Sequence, residues 1–505
     1  MTSYVYAGKI LQVDLSTSQQ SIRPITESEV RTYLLGSGLA AKIYLDWIQE
    51  NGIVDPLDPR SPLIVLNGLL SGTFSPTGCR SSWCGRSPLT GIWNEANLGG
   101  HWGAELRFAG WDGIILTGKC QKPTYLWLDG DTQSVEFRDA SHVWGKDQFE
   151  THDLLLAETD EKARCASIGM GGETLVKIAG VATGGHSHSR LAARGGMGAV
   201  MGSKNLKAIV MRGNPQGASR EKPAYFDAKG FHSTVKEANK FIMAHGPAES
   251  LHLVGTAGGH PTTDKFGDNA IMNWRGGNWT EGTIKTSGQE IAKTIFTKHT
   301  FCHACPIGCG KAVEVKEGQY AGVWGEGPEY ETLCGFGSNL QCDDLNAISA
   351  MNDWCNRYTI DVISTSGVLG FAFECYEKGL ITKDDTGGVE LKWGDAGAII
   401  AMIHKIAKRE DIGDLLAEGV RAAAAKIGQG SEKFAMHVKG MEMPYHDPRG
   451  FVSMAANYVT AVRGACHLEA ISYWRGVGIE WGGWQEGDKD EWVASKRFDS
   501  GVAAE

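Results

Sequence analysis

No stretch of this 505-residue chain stays apolar long enough to cross a bilayer. Its start, MTSYVYAGKILQVDLS, alternates like a strand and has neither the basic n-region nor the apolar core of a secretory signal, so cytoplasmic residence is the expectation. Lysine and arginine form no extended run and the formal net charge is -10, which argues against a broad nucleic-acid surface. The 12 cysteines are scattered, without the density or pairing of a disulfide scaffold. There is no internal repeat and no low-complexity tract.

Glycine is what the sequence has in excess. Its 67 residues are nearly twice the roughly 7% of ordinary globular proteins, and they sit in short clusters that would let backbone approach a large ligand. The length exceeds one ordinary core, so about two to four domains are expected. From 1 to 212 the chain reads as short strands and turns, among them KILQVDLS, SPLIVLNG, GIILTG, TYLWLDG, KIAGVAT and KAIVMRG. After GNPQGASREKP the spacing becomes helical, as in FDAKGFHSTVKEANKFIMAHG, NAISAMNDWCNRY and the stretch from 394 to 428. The expected domains are 1–212, 213–430 and 431–505. The third stops at FDSGVAAE, a helix-like phrase without C-terminal punctuation, as if cut within a domain. The fold class is α+β, a sheet-rich first domain followed by two mostly helical ones.

Five stretches carry chemistry. FCHACPIGCG sets Cys302, Cys305 and Cys309 at CxxCxxxC spacing. Three close thiols plus a remote fourth suit an iron–sulfur cluster better than zinc, which favours paired CxxC or His ligands, but zinc and no metal stay open on spacing alone. RLAARGGMGAVMGSKNLKAIV offers Arg194, Lys204 and glycines at 195, 196, 198 and 202 as an anion cradle, or simply a tight turn. It matches neither GxGxxG nor GxxxxGK[ST], so the Rossmann and P-loop readings fail. CRSSWCGRSPLTGIWNEANLGGHWG supplies Arg80 and Arg86 for phosphate, Asn97 as an oxygen donor to a hard cation, and Gly99 and Gly100 for close approach, although any one arginine is as readily a surface residue. WGEGPEYETLCGFG crowds Glu326, Glu329 and Glu331 together; such carboxylates are solvated, protonated or metal-bound, and the flanking aromatics draw the segment inward. PYHDPRGFVSMAANYVTAVRGACH carries His446, Asp447 and His467, each structural unless a carboxylate of raised pKa shares its pocket.

In this order, RGGMGAVMGSKNLKAI, CxxCPIGCG, GPEYE and RGACH resemble the aldehyde ferredoxin oxidoreductase family, and the likeness runs from 1 to 505. It implies a bis-pterin (molybdopterin-type) cofactor holding tungsten or molybdenum on a β-sheet base, covered by two helical domains. Arg80 and Arg194 would bind pterin phosphates, while Asn97 and the Gly195 carbonyl would hold magnesium. Gly99, Gly100, Gly196 and Asp361 would contact the pterin. Cys302, Cys305 and Cys309 would ligate a [4Fe–4S] cluster. Glu329 and His467 would be the proton-transfer pair, supported by Glu326 and Glu331. Cys334 is a thiol that could approach the metal or simply pack.

Two departures stand out. Where the family reads DxxGLD, this chain has NRYTID, keeping Asp361 and putting Asn356 in place of the first Asp. The family's DxxGLC, whose cysteine completes the cluster, does not occur by residue 505. The implied activity is oxidation of an aldehyde to its acid with water as oxygen donor, electrons leaving to ferredoxin or a partner subunit. Two alternatives stand beside it. One is a reductive relative such as an aromatic acyl-CoA ring reductase, which needs iron–sulfur or flavin partner subunits. The other is a pterin-free electron carrier. Homo-oligomerisation is left open by the sequence.

Overall fold

The computed structural model describes residues 5–213, 225–244 and 246–469. The first domain is built on two six-stranded sheets. One comprises β1 (Lys9–Asp14), β2 (Gln19–Pro24), β3 (Leu63–Asn67), β4 (Ser81–Arg86), β5 (Trp93–Leu98) and β6 (Gly113–Thr117), ordered β2-β1-β6-β3-β4-β5. The other comprises β7 (Thr124–Asp129), β8 (Ser134–Asp139), β9 (Arg164–Ser167), β10 (Val181–Thr183), β11 (Arg190–Ala192) and β12 (Leu206–Arg212), ordered β11-β10-β9-β12-β7-β8. Neighbours are antiparallel except β1 with β6 and β7 with β12. Strand β3, LIVLN, is buried at every position, as a central strand covered on both faces must be. Strand β2, QQSIRP, lies at the edge, mostly exposed and ending in proline.

The two sheets share one core. Leu11, Val65, Trp83 and Ile114 of the first pack with Leu126, Ala166 and Ile209 of the second. The helix Trp102–Phe108 locks them together: the Trp102 ring lies 5.3 Å from that of Trp83, and its Nε1–H donates to the Ile209 carbonyl at 3.4 Å. An aromatic of this size takes roughly 150–250 Å² out of water, on the order of 4–6 kcal/mol at about 25 cal/mol per Å².

The stretch CRSSWCGRSPLTGIWNEANL, which supplies Arg80, Arg86 and Asn97, forms the hairpin β4–β5, with Ser82 opposite Asn97. Its small and polar residues hide a strand pattern anchored by the buried Trp83, Cys84, Ala96 and Leu98. Beyond 225 the chain is mainly helical. Asp344, Asp361 and Asp395 cap the helices Leu345–Tyr358, Val362–Glu377 and Ala396–Lys408 by accepting from backbone N–H groups of the first turn. The run from 394 to 428 breaks at Arg409 and Asp411, with φ +56° and +49°, and at Gly419, with φ +87°. Those breaks leave Ala396–Lys408, Ile412–Leu416 and Val420–Ile427 as separate helices.

A three-stranded sheet, Phe296–Thr300, Gly310–Glu314 and Trp324–Glu326, faces the first domain. The boundary phrase GNPQGASREKP, beyond Gly213, and the phrase FDSGVAAE both lie outside the described residues. Among the described residues no helix is long and apolar enough to cross a membrane.

Candidate functional site

The three spaced thiols occupy one turn. Cys302, Cys305 and Cys309 lie in the connection between Phe296–Thr300 and Gly310–Glu314, where Thr300 pairs with Gly310. The turn closes through left-handed backbone at Ala304 and Gly308, φ +54° and +62°. It is stitched to the first domain at several points: the Gly100 N–H donates to Cys302 Sγ at 3.2 Å, the His303 N–H donates to the Gly100 carbonyl at 3.0 Å, and the Thr77 N–H donates to the Ala304 carbonyl at 3.4 Å. A Cβ at Gly99 would meet Cys302 Sγ at 3.5 Å. Cys79, beside Cys302, draws the Cys302 thiol strongly down; His188, Arg190 and the Gly100 N–H add to this against burial. Burial pushes Cys309 up to about 12.

Beside the turn, Arg194 and Gly195 begin the cradle. Gly195 and Gly196 have φ +83° and +85°, and a Cβ at Gly195 would lie 2.0 Å from Asn94 Oδ1. Ser87 Oγ donates to the Gly195 carbonyl at 2.7 Å, and Asn94 Nδ2 to the Arg194 carbonyl at 3.1 Å. The Arg194 side chain reaches into the helical domain. Its Nη2 donates to the Glu442 carbonyl at 2.5 Å and its Nε lies 3.4 Å from Asp361 Oδ2. Asp361 thus serves both as helix cap and as the partner of a cationic side chain. Arg80 is exposed, with no side-chain hydrogen bond among the described residues. Asn97 is half-buried on β5, two residues before Gly99.

The carboxylates separate by direction. Glu326 forms a 2.5 Å ion pair with Arg190. Glu329 accepts a hydrogen bond from the Thr256 hydroxyl. Glu331 is the one that faces His467, with Oε1 3.7 Å from Nε2, while its Oε2 accepts from the Tyr445 N–H at 3.0 Å. Glu331, expected only to support the Glu329–His467 pair, is thus the carboxylate that lies beside His467. Glu329 precedes the turn Tyr330–Thr332 and Glu331 lies within it, and the two carboxylates find different partners.

Burial raises Glu331 above the ordinary carboxylate range. Burial, with His446, Arg194, Arg463 and Arg80, holds His467 well below the ordinary imidazole value. Behind them, His446 Nδ1 sits 2.6 Å from Asp268 Oδ2 and stacks on Tyr330 at 4.9 Å. Burial opposes the His446 cation, but Asp268 and Glu331 outweigh it and raise its pKa.

Other candidates take structural places. Lys204 turns from the cradle to donate to the Pro59 and Gly118 carbonyls at 2.9 and 3.4 Å. Arg86 ties down the carbonyls of Gly91 and Val54 at 2.8 and 2.6 Å, which occupies the guanidinium expected for phosphate. Cys334 is fully buried, its thiol donating to Asn269 Oδ1 at 3.7 Å, and burial pushes it well up. Asn356 is half-buried on the last turn of Leu345–Tyr358 and makes no side-chain hydrogen bond to the other site residues. Arg190, Asp268 and Cys79 belong to the site but carry no motif of their own. Arg190, just ahead of RGGMG, and Cys79, at the head of CRSSWCG, had only their positions to hint at a place.

The residues fit a large polar ligand. Among the described residues, Arg194 Nη1, Glu331 Oε1, His467 Nδ1, Asn94 Oδ1 and Glu442 Oε2 are buried without a hydrogen-bond partner. Buried polar atoms are ordinarily satisfied, so this group of orphans is of the kind that an anionic pterin would satisfy. Among the described residues no three His, Cys, Asp or Glu side chains converge tightly enough for a single metal ion. Three thiolates spread around one turn suit the wider body of a cluster.

Comparison with known proteins identifies the family. The family model for the aldehyde ferredoxin oxidoreductase N-terminal domain matches residues 10–213, and that for domains 2 and 3 matches residues 233–499. The tungsten-containing aldehyde ferredoxin oxidoreductase of Pyrococcus furiosus is 39% identical over 465 residues, covering 92% of this chain and 74% of that protein. The aliphatic sulfonate oxidoreductase, WOR-like subunit, of the same organism is 32% identical, covering 93% and 76%. The solved active-site complex BamBC of benzoyl coenzyme A reductase with 1,5-dienoyl-CoA superposes with a TM-score of 0.80 at 27% identity, covering 93% of this chain and 71% of that one. By sequence, fold and site together, this chain belongs to the aldehyde ferredoxin oxidoreductase family and is an oxidoreductase.

Proposed function

We propose that the protein oxidises an aldehyde to the carboxylic acid, with water supplying the oxygen and two electrons leaving one at a time to ferredoxin or an iron–sulfur or flavin partner subunit. The buried pair Glu331 and His467 carries this reading, because it sets a raised carboxyl against a neutral imidazole where both have an unpartnered atom. A bis-pterin tungsten centre, when bound, supplies Lewis-acid polarisation of the carbonyl and a two-electron sink. Arg80 and Arg194 would hold the pterin phosphates, and Asn97 and the Gly195 carbonyl would hold magnesium. Gly99, Gly100, Gly196 and Asp361 would line the pterin. Cys302, Cys305 and Cys309 would hold the [4Fe–4S] cluster.

In its ionised form Glu331 takes a proton from the attacking water, and His467 hydrogen-bonds the aldehyde oxygen through Nδ1. The balance is one aldehyde and one water giving one carboxylic acid, two protons and two electrons. Their 3.7 Å separation exceeds a hydrogen bond and would tighten once ligand fills the site. The solved benzoyl coenzyme A reductase complex favours a second reading, in which the same site runs reductively on a thioester substrate.

The test is metal and pterin analysis of full-length protein purified without oxygen, followed by an aldehyde panel with a viologen acceptor. Tungsten with pterin and aldehyde-dependent dye reduction is expected. Iron without tungsten, molybdenum or pterin would leave only an electron carrier. Co-purifying iron–sulfur or flavin subunits with no aldehyde activity would leave the reductive reading.

A further inference from the structure

We propose that the buried ion pair Arg190–Glu326 tunes the reduction potential of the cluster at Cys302, Cys305 and Cys309, with Arg190 raising it and Glu326 lowering it; this rests on reading those cysteines as cluster ligands. Arg190 lies on β11, and its side chain runs along the two glycines that meet the cluster turn. A Cβ at Gly100 would meet Arg190 Cγ at 3.4 Å, and one at Gly99 would meet Cys302 Sγ at 3.5 Å and Arg190 Cδ at 3.9 Å. On the far side, a Cβ at Gly310, the residue after Cys309, would touch Arg190 Nη2 at 2.4 Å and Glu326 Oε1 at 2.9 Å. The three glycines clear the space that the guanidinium fills, and both ends of the cysteine turn border it.

The pair itself is tight and enclosed. Arg190 Nη1 and Glu326 Oε1 are 2.5 Å apart, with side chains 16% and 5% exposed. Thr300 accepts from Arg190 Nη2 at 3.5 Å and donates to Glu326 Oε2 at 3.2 Å. A guanidinium stays protonated in a protein, so Arg190 is a fixed positive charge where screening by water is weak. Stability alone does not account for the pair, since well-packed apolar residues commonly do as well as a buried ion pair. Cluster potentials respond to net charge, hydrogen bonding and exposure. A cation beside the turn favours the reduced cluster, which carries one more negative charge. The carboxylate beyond it disfavours that state. Together they balance, and removing either unbalances the cluster in a defined direction.

The test is an EPR-monitored redox titration of full-length, cofactor-loaded protein, with iron counted per chain. Glu326→Gln is expected to shift the cluster midpoint upward, Arg190→Gln downward, and Arg190→Lys, which keeps the charge, to stay near wild type. A pair that merely staples β11 to the three-stranded sheet would give no such opposition of sign. Should Arg190→Gln fail to fold, the upward shift in Glu326→Gln against an unmoved Arg190→Lys decides the matter. Iron-loaded Glu326→Gln with an unchanged or lowered midpoint overturns the proposal. A wild-type chain without an iron–sulfur signal overturns the cluster reading itself, and the proposal with it.

Discussion

Replacing Glu331 with glutamine should cost most of the turnover, whereas the same change at Glu329 should cost little. Glu331 lies 3.7 Å from His467, with both side chains largely enclosed, while Glu329 points to the Thr256 hydroxyl. Loss of a positioned general base typically lowers rate by about 10²–10⁴, roughly 3–5 kcal/mol of barrier. The fold should tolerate the change, because the glutamine carbonyl can still accept from the Tyr445 N–H now 3.0 Å from the carboxylate.

The pH profile adds a second readout. Burial raises the Glu331 carboxyl, so its ionised form appears only as pH climbs through that raised value. The turnover number should therefore rise with pH on an acid limb above the ordinary carboxylate range, and Glu331→Gln should erase that limb. His467 stays neutral over the same window, because burial holds it well below its usual value. The assay is aldehyde-dependent viologen reduction under anaerobic conditions, expressed per bound tungsten. Glu331→Gln retaining more than about a tenth of wild-type turnover, with Glu329→Gln falling below it, would sink this assignment and return the role to the first glutamate.

Cys302→Ser should lower iron per chain and remove the cluster's EPR signal while tungsten stays bound, since the arginine turns lie on other segments; tungsten lost in step with iron would contradict separate sites. Gly195→Ala forces a Cβ to 2.0 Å from Asn94 Oδ1 at φ +83°. Left-handed strain of about 1–2 kcal/mol and overpacking of about 1–3 kcal/mol should lower the melting temperature. Adding Asn94→Ala should recover part of the loss, and no recovery would refute the clash. Burial lowers Lys204 from 10.5 to about 8. Between those values the unfolded chain holds a proton that the folded one has released, so stability should rise with pH, by up to about 3 kcal/mol for this group. Urea midpoints of Lys204→Met across that window should show a shallower rise than wild type; an equal rise would place the dependence elsewhere.

Much of this was legible from the residue order. The six strand phrases each contain a strand, because a run such as LIVLN fits a central strand at every position. The CxxCxxxC turn and the left-handed glycines after Arg194 follow from local chemistry, as does the cap at Asp361. What sequence concealed was long-range. Nothing in GPEYE says which glutamate meets a histidine 136 positions later, because that depends on how Tyr330–Thr332 packs against the segment carrying Tyr445. Asp268 and Arg190 gained their roles only through partners far along the chain, His446 and Glu326. Arg86 looked like a phosphate ligand by type alone, and its neighbours Gly91 and Val54 claimed it.

The contact between Gly100 and Cys302 also fixes an order of manufacture. Gly100 and Cys302 are 202 positions apart. At about 5–20 residues per second a ribosome needs roughly 10–40 s to travel from one to the other. Through that interval the sheet base exists without the turn that closes against it. With Cys302, Cys305 and Cys309 as the proposed cluster ligands, cluster insertion would have to follow synthesis of both segments, and a cell starved of iron would accumulate chains that lack the proposed electron outlet.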